Sequence, residues 1–310
     1  MTISVPPQVA ETIREFFDDE GERWLAALPE LVAQRCRDWG LELIGEPFGG
    51  GTHSLVAPVR RADGSVAVVK VPFVDTENAG EPAGLWRYDG DGAIRLYDFD
   101  PGSGAMLLEW ARPGIPLLSQ PTPPLEGRPD HADKILTAAG LYRRLRRAPG
   151  DLPAGYPVPP STSDVVAEWA RWSEDADIVA AVPEPLLERA RGWCVDLAEL
   201  DGPLLIVNRD THLGNIVAAE REPWLLIDPK PYLGEAAFDA GFLILKQVQS
   251  DPNPEHAHRM VAATADALGV GRERARGWAY MRALEQVVWS IEDDDEVSAH
   301  DLAVVQALAR

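Results

Sequence analysis

Residues 207–230, VNRDTHLGNIVAAEREPWLLIDPK, are the stretch of sequence that decides the fold. An apolar run at 204–207 predicts a strand, and the polar loop after it holds Asp210 and, five residues later, Asn215. Two short apolar segments follow, and the second of them ends at Asp228. Loops at strand ends are common carriers of catalytic groups because a rigid scaffold holds them. We therefore expect these three oxygen-bearing side chains to be functional.

The residue types in this stretch are typical of phosphoryl transfer. Mg²⁺ prefers oxygen ligands, usually one or two carboxylates together with substrate phosphates. An aspartate that can accept a proton, followed by an amide oxygen and a second carboxylate, is what phosphoryl transfer from ATP requires. An isolated D-x-x-x-x-N would more often be an ordinary turn. The strand–loop–strand frame around it favours an active site instead.

Lys70 is the second signal. The chain has 4 lysines among its 29 basic residues, so its composition favours arginine wherever either cation would serve. A lysine inside the apolar run VAVVKVP suggests a site that needs a compact ammonium, such as a contact with nucleotide phosphates. The alternative is an edge-strand lysine that reaches water. Glu81 is the expected carboxylate partner, and Glu77 is its rival because Pro82 would place Glu81 at the helix entry.

A glycine run precedes the Lys70 strand. Gly49, Gly50 and Gly51 lie in the turn GEPFGGGTHS between the first two predicted strands. Consecutive glycines can bring backbone N–H groups close to phosphate oxygens. Glycine runs also form ordinary hairpin turns. The position of this run before the Lys70 strand is what favours phosphate binding.

The periodicity predicts an α+β protein with two lobes. Residues 1–110 are expected to hold two leading helices, with a break or kink at Pro29, and a five-stranded antiparallel sheet with one helix. The predicted strands are 41–44, 54–60, 65–72, 94–99 and 105–110, and the helix is about 77–88. A stretch rich in Pro and Gly follows at 111–130. Residues 111–310 are then mainly helical, with helices predicted at 132–147, 163–181, 185–200 and from 236 onward.

The net charge of the chain indicates which kinds of ligand it can attract. The formal net charge is −21, which repels nucleic-acid backbones and favours cations, including Mg²⁺ and cationic small molecules. The N-terminus lacks the features of a signal peptide and no segment is apolar over about 20 residues, so we expect no membrane association and a cytoplasmic location.

The order of these motifs resembles the protein-kinase-like fold of small-molecule kinases. More narrowly, it resembles the aminoglycoside/hydroxyurea phosphotransferase family, whose best-known members are streptomycin 6-kinases. The matching segments are EPAGLWRYDGDGAIRLYDFD at 81–100 and VNRDTHLGNIVAAEREPWLLIDPK at 207–230, and the likeness covers roughly residues 40–250. The second segment is long and distinctive. The resemblance implies a bilobal, kinase-like α+β fold.

The resemblance also implies roles for the residues that bind ATP. Lys70 would contact the ATP phosphates and Glu81 would position Lys70. Residues 109–111, from Glu109 to Ala111, would form the hinge whose backbone reads the edge of the adenine ring.

For catalysis, the resemblance implies that Asp210 is the base that orients the acceptor hydroxyl, and that Asn215 and Asp228 hold Mg²⁺. Two features depart from related kinases: Asn208-Arg209 replaces the frequent His-Gly, and Pro229-Lys230 replaces the Phe-Gly of protein kinases. His212 is expected to pack within the loop. Asp239 either supports this loop or lies on a helix surface.

The sequence therefore predicts ATP-dependent transfer of a phosphoryl group to a hydroxyl of a small, cationic acceptor such as an aminoglycoside. The alternatives are a kinase of hydroxyurea or of a sugar, amino sugar or amino alcohol, and a nucleotide-binding pseudokinase. The main reading requires residues 70, 210, 215 and 228 to converge on one cleft.

Overall fold

The computed structural model describes residues 3–120, 132–293 and 297–310. Within these residues the chain forms two compact units. Unit 1 contains the chain up to Gly114 together with Asp151–Val158 and Ala218–Ile227, and unit 2 contains the rest. Two segments downstream of residue 110 thus contribute to unit 1.

Unit 1 begins with two helices, α1 (Pro7–Phe16) and α2 (Asp18–Asp38). The break lies between Phe17 and Asp18, the first residue of α2, whose φ is +37°. The helix does not break at Pro29, and the kink given as the alternative there stays a prediction. Pro29 lies inside α2, where the loss of one backbone hydrogen bond is offset because the neighbouring helix residues are buried against the sheet.

The five-stranded antiparallel sheet is confirmed. Its strand order is β1-β2-β3-β5-β4, which places β3 at the centre. The helix α3 (Glu81–Tyr88) is inserted between β3 and β4. The strands are β1 (Glu42–Leu43), β2 (Ser54–Arg60), β3 (Val66–Pro72), β4 (Leu96–Asp100) and β5 (Ala105–Leu108).

The two faces of the sheet have different partners. Successive side chains of a strand point to opposite faces, and Val69 and Val71 of β3 pack in one apolar cluster with Leu28 and Val32 of α2. Lys70, between those two valines, is therefore on the other face. This alternation separates the packing face from the face that holds the ionic site.

Three short strands lie at or next to points where the chain passes between the two units. The strands β6 (Pro113–Pro116) and β8 (Ile216–Ala219) each contain one of the points at which the chain passes from one unit to the other, and β9 (Trp224–Leu226) follows β8 in unit 1. Residues 121–131 of the predicted Pro/Gly-rich stretch lie outside the described residues.

Unit 2 is mainly helical, as predicted. Its described elements are α4 (Ala132–Leu145), α5 (Thr162–Trp172), α6 (Ala176–Ala181), α7 (Glu184–Leu197), β7 (Leu205–Asn208), β10 (Pro231–Gly234), α8 (Phe238–Val248), α9 (Pro254–Leu268), α10 (Arg272–Glu292) and α11 (Ala299–Leu308).

The helix predicted at 163–181 is two helices. The first ends at Trp172, and Asp175 then caps the second by accepting hydrogen bonds from the backbone N–H groups of Asp177 and Ile178. Aspartate is a strong N-cap residue because its carboxylate satisfies N–H groups that lack partners in the first turn. The apolar periodicity continues through the break, which is why it did not reveal the break.

One strand pair positions the most informative loop. Strands β7 and β10 pair antiparallel, with Asn208 opposite Pro231. The backbone N–H of Arg209 also donates to the carbonyl of Lys230 at 2.9 Å. The loop that starts at Arg209 and the segment that ends at Lys230 therefore leave the same end of this pair. No helix within the described ranges is long and apolar enough to cross a membrane.

Candidate active site

The predicted site residues fall into two groups, one in each unit. In unit 1, Lys70 lies on the central strand and is 6% exposed, so the edge-strand alternative is wrong. Its ammonium donates to the Oε2 atom of Glu81 at 2.6 Å. Glu81 is the first residue of α3 and is 1% exposed, where the helix N-terminus also favours a negative charge. The structure thus pairs Lys70 with the expected carboxylate.

The glycine turn is open and conformationally demanding. Gly50 has φ +87°, in the left-handed region that favours glycine, and a Cβ at Gly49 or Gly50 would meet no atom within 4 Å. A Cβ at Gly51 would lie 3.0 Å from the carbonyl oxygen of Ser54. The turn therefore has space beside its backbone at two glycines and a close backbone approach at the third.

Hydrogen bonds of Glu109 fix the segment at 109–111, and two backbone groups of the segment remain available for hydrogen bonding. The Glu109 carboxylate accepts two hydrogen bonds from the Arg221 guanidinium, each 2.8 Å long. The Glu109 N–H donates to the Arg95 carbonyl at 2.8 Å. Among the described residues, the Glu109 carbonyl and the Ala111 N–H make no hydrogen bond. These two groups form an acceptor and a donor two residues apart.

In unit 2, the structure brings Asp210 and Asn215 together. The Asn215 Nδ2 atom donates to Asp210 Oδ2 at 3.2 Å. His212 Nδ1 accepts the Gly214 N–H at 3.0 Å, and its Nε2 atom lies 3.5 Å from the same Asp210 oxygen. His212 therefore packs within the loop, as expected. Asp228 has φ +49°, an unusual conformation for a residue with a side chain, and such conformations often occur at functional sites.

The electrostatics of the loop favour the ionised form of Asp210. Burial raises the pKa of the Asp210 carboxyl, and the charge of Asp228 raises it further. The hydrogen bond and charge of His212 and the charge of Lys230 have the larger combined effect, so the pKa lies below its ordinary value. At neutral pH Asp210 is thus a carboxylate, the form that can accept a proton.

Asp239 holds this loop through hydrogen bonds to residues on both sides of Asp210. It is 1% exposed and lies in the first turn of α8. Its Oδ1 atom accepts the Asn208 N–H and its Oδ2 atom accepts from Arg146, both at 2.8 Å, while its carbonyl accepts the Thr211 hydroxyl at 2.9 Å. Burial raises the pKa of the Asp239 carboxyl, and Arg146 opposes that change. Of the two readings open from the sequence, the supporting role is the correct one.

A second buried carboxylate holds the residue that precedes Asp210. Glu285 of α10 is fully buried, and its Oε1 atom accepts from Arg209 at 2.7 Å and from the Trp169 indole at 3.0 Å. Arg282 donates to Oε2, and Arg209 also donates to the Tyr232 hydroxyl at 2.9 Å. Sequence reasoning missed this cluster. The available signal was Arg282 and Glu285 within the otherwise apolar run of α10.

The donor set of the unit 2 group suits Mg²⁺. Asp228 offers carboxylate oxygens, and the Asn215 amide donates through its nitrogen to Asp210, which leaves its Oδ1 atom free of that contact. Oxygen ligands of this kind, few in number, match a cation that completes its shell with water and substrate phosphate. No group of three or more His, Cys, Asp or Glu residues in the described part of the chain is arranged to hold a metal ion.

Known proteins resemble this chain in sequence and in fold. Residues 38–294 match the family described as aminoglycoside/hydroxyurea antibiotic resistance kinase. The chain is 35% identical over 298 residues to the streptomycin 6-kinase of Streptomyces glaucescens, covering 94% of this chain and 92% of that protein. It is 33% identical over 309 residues to the hydroxyurea phosphotransferase of Kitasatospora aureofaciens, covering 99% of this chain and 86% of that protein.

A solved structure extends the likeness to the fold alone. Choline kinase LicA from Streptococcus pneumoniae has a TM-score of 0.57 at 13% identity, covering 91% of this chain and 99% of that chain. The α+β, protein-kinase-like fold expected from the sequence is therefore confirmed. Since the family match spans most of the chain and the relatives are aligned over nearly its whole length, the chain belongs to the aminoglycoside/hydroxyurea antibiotic resistance kinase family and is a small-molecule phosphotransferase.

Proposed function

We propose that this phosphotransferase moves the γ-phosphoryl group of ATP to a hydroxyl group of a cationic aminoglycoside such as streptomycin. The observation that carries the proposal is the loop at 209–215, in which an ionised Asp210 accepts a hydrogen bond from Asn215. Two buried carboxylates hold the residues just before it, because Asp239 accepts from the Asn208 N–H and Glu285 accepts from Arg209. The 35% identity to a streptomycin 6-kinase supports the acceptor class. The chain carries a net charge of −21, which favours a cationic acceptor over an anionic one.

The residues of unit 1 bind the nucleotide in this proposal. Lys70, held by Glu81, neutralises phosphate charge, and the open backbone at Gly49, Gly50 and Gly51 donates N–H groups to phosphate oxygens. The Glu109 carbonyl accepts from the adenine amino group, and the Ala111 N–H donates to a ring nitrogen. Use of an adenine nucleotide is further supported by the AMP complex of a choline kinase with this fold.

The residues of unit 2 supply the chemistry. Asp210 accepts a hydrogen bond from the acceptor hydroxyl and orients its oxygen toward the γ-phosphorus. It takes the proton as the new P–O bond forms and the bond from the γ-phosphorus to the β–γ bridging oxygen breaks, with ADP as the leaving group. Asn215 fixes the Asp210 carboxylate, and Arg209 and Asp239 fix the loop. Catalysis is then mainly positioning and charge neutralisation, because a loose phosphoryl-transfer transition state needs little else from the protein.

Asn215 and Asp228 are the residues that would hold Mg²⁺. The cation would supply positive charge to phosphate oxygens. Asp228 would then hold the cation, which would leave the role of base to Asp210.

Asp210→Asn tests the proposal. The substitution keeps the size of the side chain and removes the proton acceptor, so kcat for phosphorylation of streptomycin should fall by about 10²–10⁴-fold. Binding of ATP, measured by titration calorimetry, should change by less than about threefold, since Asp210 does not belong to the nucleotide-binding group.

Asp266→Asn is the matched control. Asp266 is an exposed carboxylate of α9 in the same unit and pairs with Arg272 at 2.7 Å. It should retain full activity. Activity in Asp210→Asn equal to that of the wild type would remove Asp210 from the role of base. If the wild-type protein consumes no ATP in the presence of streptomycin, hydroxyurea or amino sugars, the result would instead favour the interpretation as a nucleotide-binding pseudokinase.

Hydroxyurea is the second candidate acceptor. The observation in its favour is the 33% identity to a hydroxyurea phosphotransferase over 99% of this chain. Hydroxyurea is small and uncharged, whereas streptomycin is a large cation, so the ratio of kcat/KM for the two acceptors separates the candidates. A housekeeping sugar or amino alcohol stays an alternative that the same acceptor screen tests.

A further inference from the structure

A histidine at the end of the glycine turn is joined to the segment before α3. His53 lies two residues after Gly51, and its Nδ1 atom is 3.0 Å from Asp75 Oδ2. Asp75 lies between β3 and α3. The two residues are 22 apart in the sequence, and both belong to unit 1. The His53–Asp75 pair therefore connects the glycine turn with the entry to the helix that carries Glu81.

The hydrogen bond of this pair has a defined direction. Burial raises the pKa of the Asp75 carboxyl, but the hydrogen bond and charge of His53 and two backbone N–H groups outweigh burial and lower it. An ionised carboxylate only accepts hydrogen bonds, so His53 Nδ1 carries the proton between the two side chains. Since the Asp75 side chain is 16% exposed and that of His53 33%, water competes with this hydrogen bond less than it does at an open surface.

On the α3 side, Asp75 organises the turn that precedes Glu81. Its Oδ1 atom accepts the N–H of Glu77 at 2.8 Å and that of Asn78 at 2.9 Å. The Asn78 side chain accepts the Asp75 N–H at 3.1 Å, and the Asn78 carbonyl accepts the Glu81 N–H at 3.0 Å. A turn of this kind fixes the backbone through the aspartate side chain. Asp75 thus sets where α3 begins and where Glu81 meets Lys70.

On the other side, His53 anchors the end of an open turn. Its carbonyl accepts the Phe73 N–H at 2.7 Å, and its ring lies edge-on to Phe17 with 5.3 Å between centroids. The backbone of Gly49 and Gly50 has space around it, and glycine loses more conformational freedom on ordering than any other residue. An anchored end restricts the turn before the nucleotide arrives, which lowers the cost of ordering on binding.

We propose that His53 and Asp75 are positioning residues for ATP: their hydrogen bond holds the glycine turn and the entry to α3 in one arrangement, so that the backbone N–H groups of the turn and the Lys70 ammonium meet the phosphates together. The inference rests on the proposed function, because it takes the glycine turn and Lys70 as phosphate-binding groups. It concerns the nucleotide and not the acceptor, so loss of the pair should change the affinity for ATP alone.

Asp75→Ser and His53→Leu remove this hydrogen bond. Serine keeps an oxygen for the N–H groups of Glu77 and Asn78 but is too short to reach His53, and leucine keeps an apolar contact with Phe17. Each variant should raise the Kd for ATP, measured by titration calorimetry, and the KM for ATP by about tenfold. The kcat and the KM for streptomycin should change by less than about threefold.

A double variant and a conservative variant separate the shared hydrogen bond from a general loss of stability. Asp75→Ser combined with His53→Leu should raise the Kd for ATP no more than either change alone, because both remove the same contact. His53→Asn keeps an N–H donor at the position of Nδ1, so its Kd should stay within about twofold of the wild type. Urea unfolding shows which variants are folded. If Asp75→Ser does not fold, the difference between His53→Leu and His53→Asn decides.

Asp63→Ser and His300→Leu are the matched controls. Asp63 is an exposed turn carboxylate of unit 1 that accepts the Ser65 N–H at 2.9 Å, and His300 is an exposed histidine of α11. Both should leave the Kd for ATP unchanged. Three results would overturn the inference: an unchanged Kd in folded His53→Leu, additive effects in the double variant, or an equal rise in the KM for streptomycin.

The same measurements keep this inference apart from the proposed function. Phosphorylation of streptomycin by the wild type together with an unchanged Kd for ATP in the variants would overturn the inference alone. A wild-type protein that binds ATP but phosphorylates neither streptomycin nor hydroxyurea would overturn the proposed function, and the Kd comparison would still decide the inference. A wild-type protein that binds no ATP would overturn both.

Discussion

At the scale of single residues, the Lys70–Glu81 ion pair has the sharpest consequences. Both side chains are almost completely buried and are 2.6 Å apart. A buried ammonium that loses its carboxylate partner keeps the cost of its desolvation, so breaking such a pair is far more damaging than its net contribution would suggest.

Glu81→Gln should therefore weaken ATP use and the fold together. We expect KM for ATP to rise about tenfold or more, because the Lys70 ammonium loses the carboxylate that fixes its position, and we expect a loss of about 3–5 kcal/mol in the free energy of unfolding. Steady-state kinetics and urea unfolding measure the two effects. Glu77→Gln is the control, and a larger effect there than at Glu81 would transfer the role to Glu77.

The sequence was most informative where the motif is local. Asp210, Asn215 and Asp228 lie within 19 residues, and the strand pattern around them is readable. The pairs that hold them were not predictable, because Arg209 and Glu285 are 76 residues apart and Arg146 and Asp239 are 93 apart. Neither composition nor periodicity indicates which distant arginine will meet which buried carboxylate.

At the scale of elements, the contact of α7 with α10 depends on one missing side chain. A Cβ at Gly277 of α10 would lie 2.6 Å from Cε3 of Trp193 on α7. No backbone torsion requires glycine there. The helix periodicity predicted a helix at 185–200 and helical structure from 236 onward, but it did not predict that the Trp193 ring would lie against the backbone of α10.

Gly277→Ala should destabilise the protein by about 1–3 kcal/mol, because the added methyl overpacks a helix contact that cannot move freely. The urea midpoint measures the change. Gly192→Ala is the control on the same pair of helices: a Cβ there meets no atom within 4 Å, so the higher helix propensity of alanine should give up to about 1 kcal/mol of stabilisation. Equal effects of the two variants would show that crowding at Trp193 is not the cause.

At the scale of the whole molecule, the ion pair between Glu109 and Arg221 joins two segments that are distant in the sequence. Glu109 and Arg221 are 112 residues apart, yet both belong to unit 1. Burial raises the pKa of the Glu109 carboxyl, but the hydrogen bonds and charge of Arg221 and the Arg95 N–H outweigh burial and lower it overall. The stabilisation from such a group is present above its pKa in the unfolded chain and disappears as the pH falls through its pKa in the folded protein.

Glu109→Gln should therefore cost about 1–3 kcal/mol of unfolding free energy at pH 7, and the cost should shrink as the pH falls below about 4. Urea unfolding of both proteins at several pH values between 7 and 3.5 measures the difference. The exposed Glu30→Gln should cost less than about 0.5 kcal/mol throughout. A cost at Glu109 that is constant with pH would mean that shape, and not charge, is what matters there.

The sequence predicted the fold class and the five-stranded sheet, but it did not predict which later segments belong to unit 1. The five strands and the helical remainder followed from the change of apolar period near residue 41 and again after residue 110. The contribution of Asp151–Val158 and Ala218–Ile227 to unit 1 did not follow, because it depends on contacts such as the Tyr156 ring against Phe99, 4.8 Å between centroids.

This arrangement has a consequence for biosynthesis. As the nascent chain leaves the ribosome, residues up to Gly114 emerge long before Leu226, which bonds to the Ile94 N–H through its carbonyl at 3.0 Å, and before Arg221. Unit 1 cannot complete its contacts until Ala218–Ile227 has been synthesised, which follows much of unit 2 in the chain. A fragment cut after Gly114 for recombinant expression would lack both residues, so truncation should be avoided in favour of the full chain.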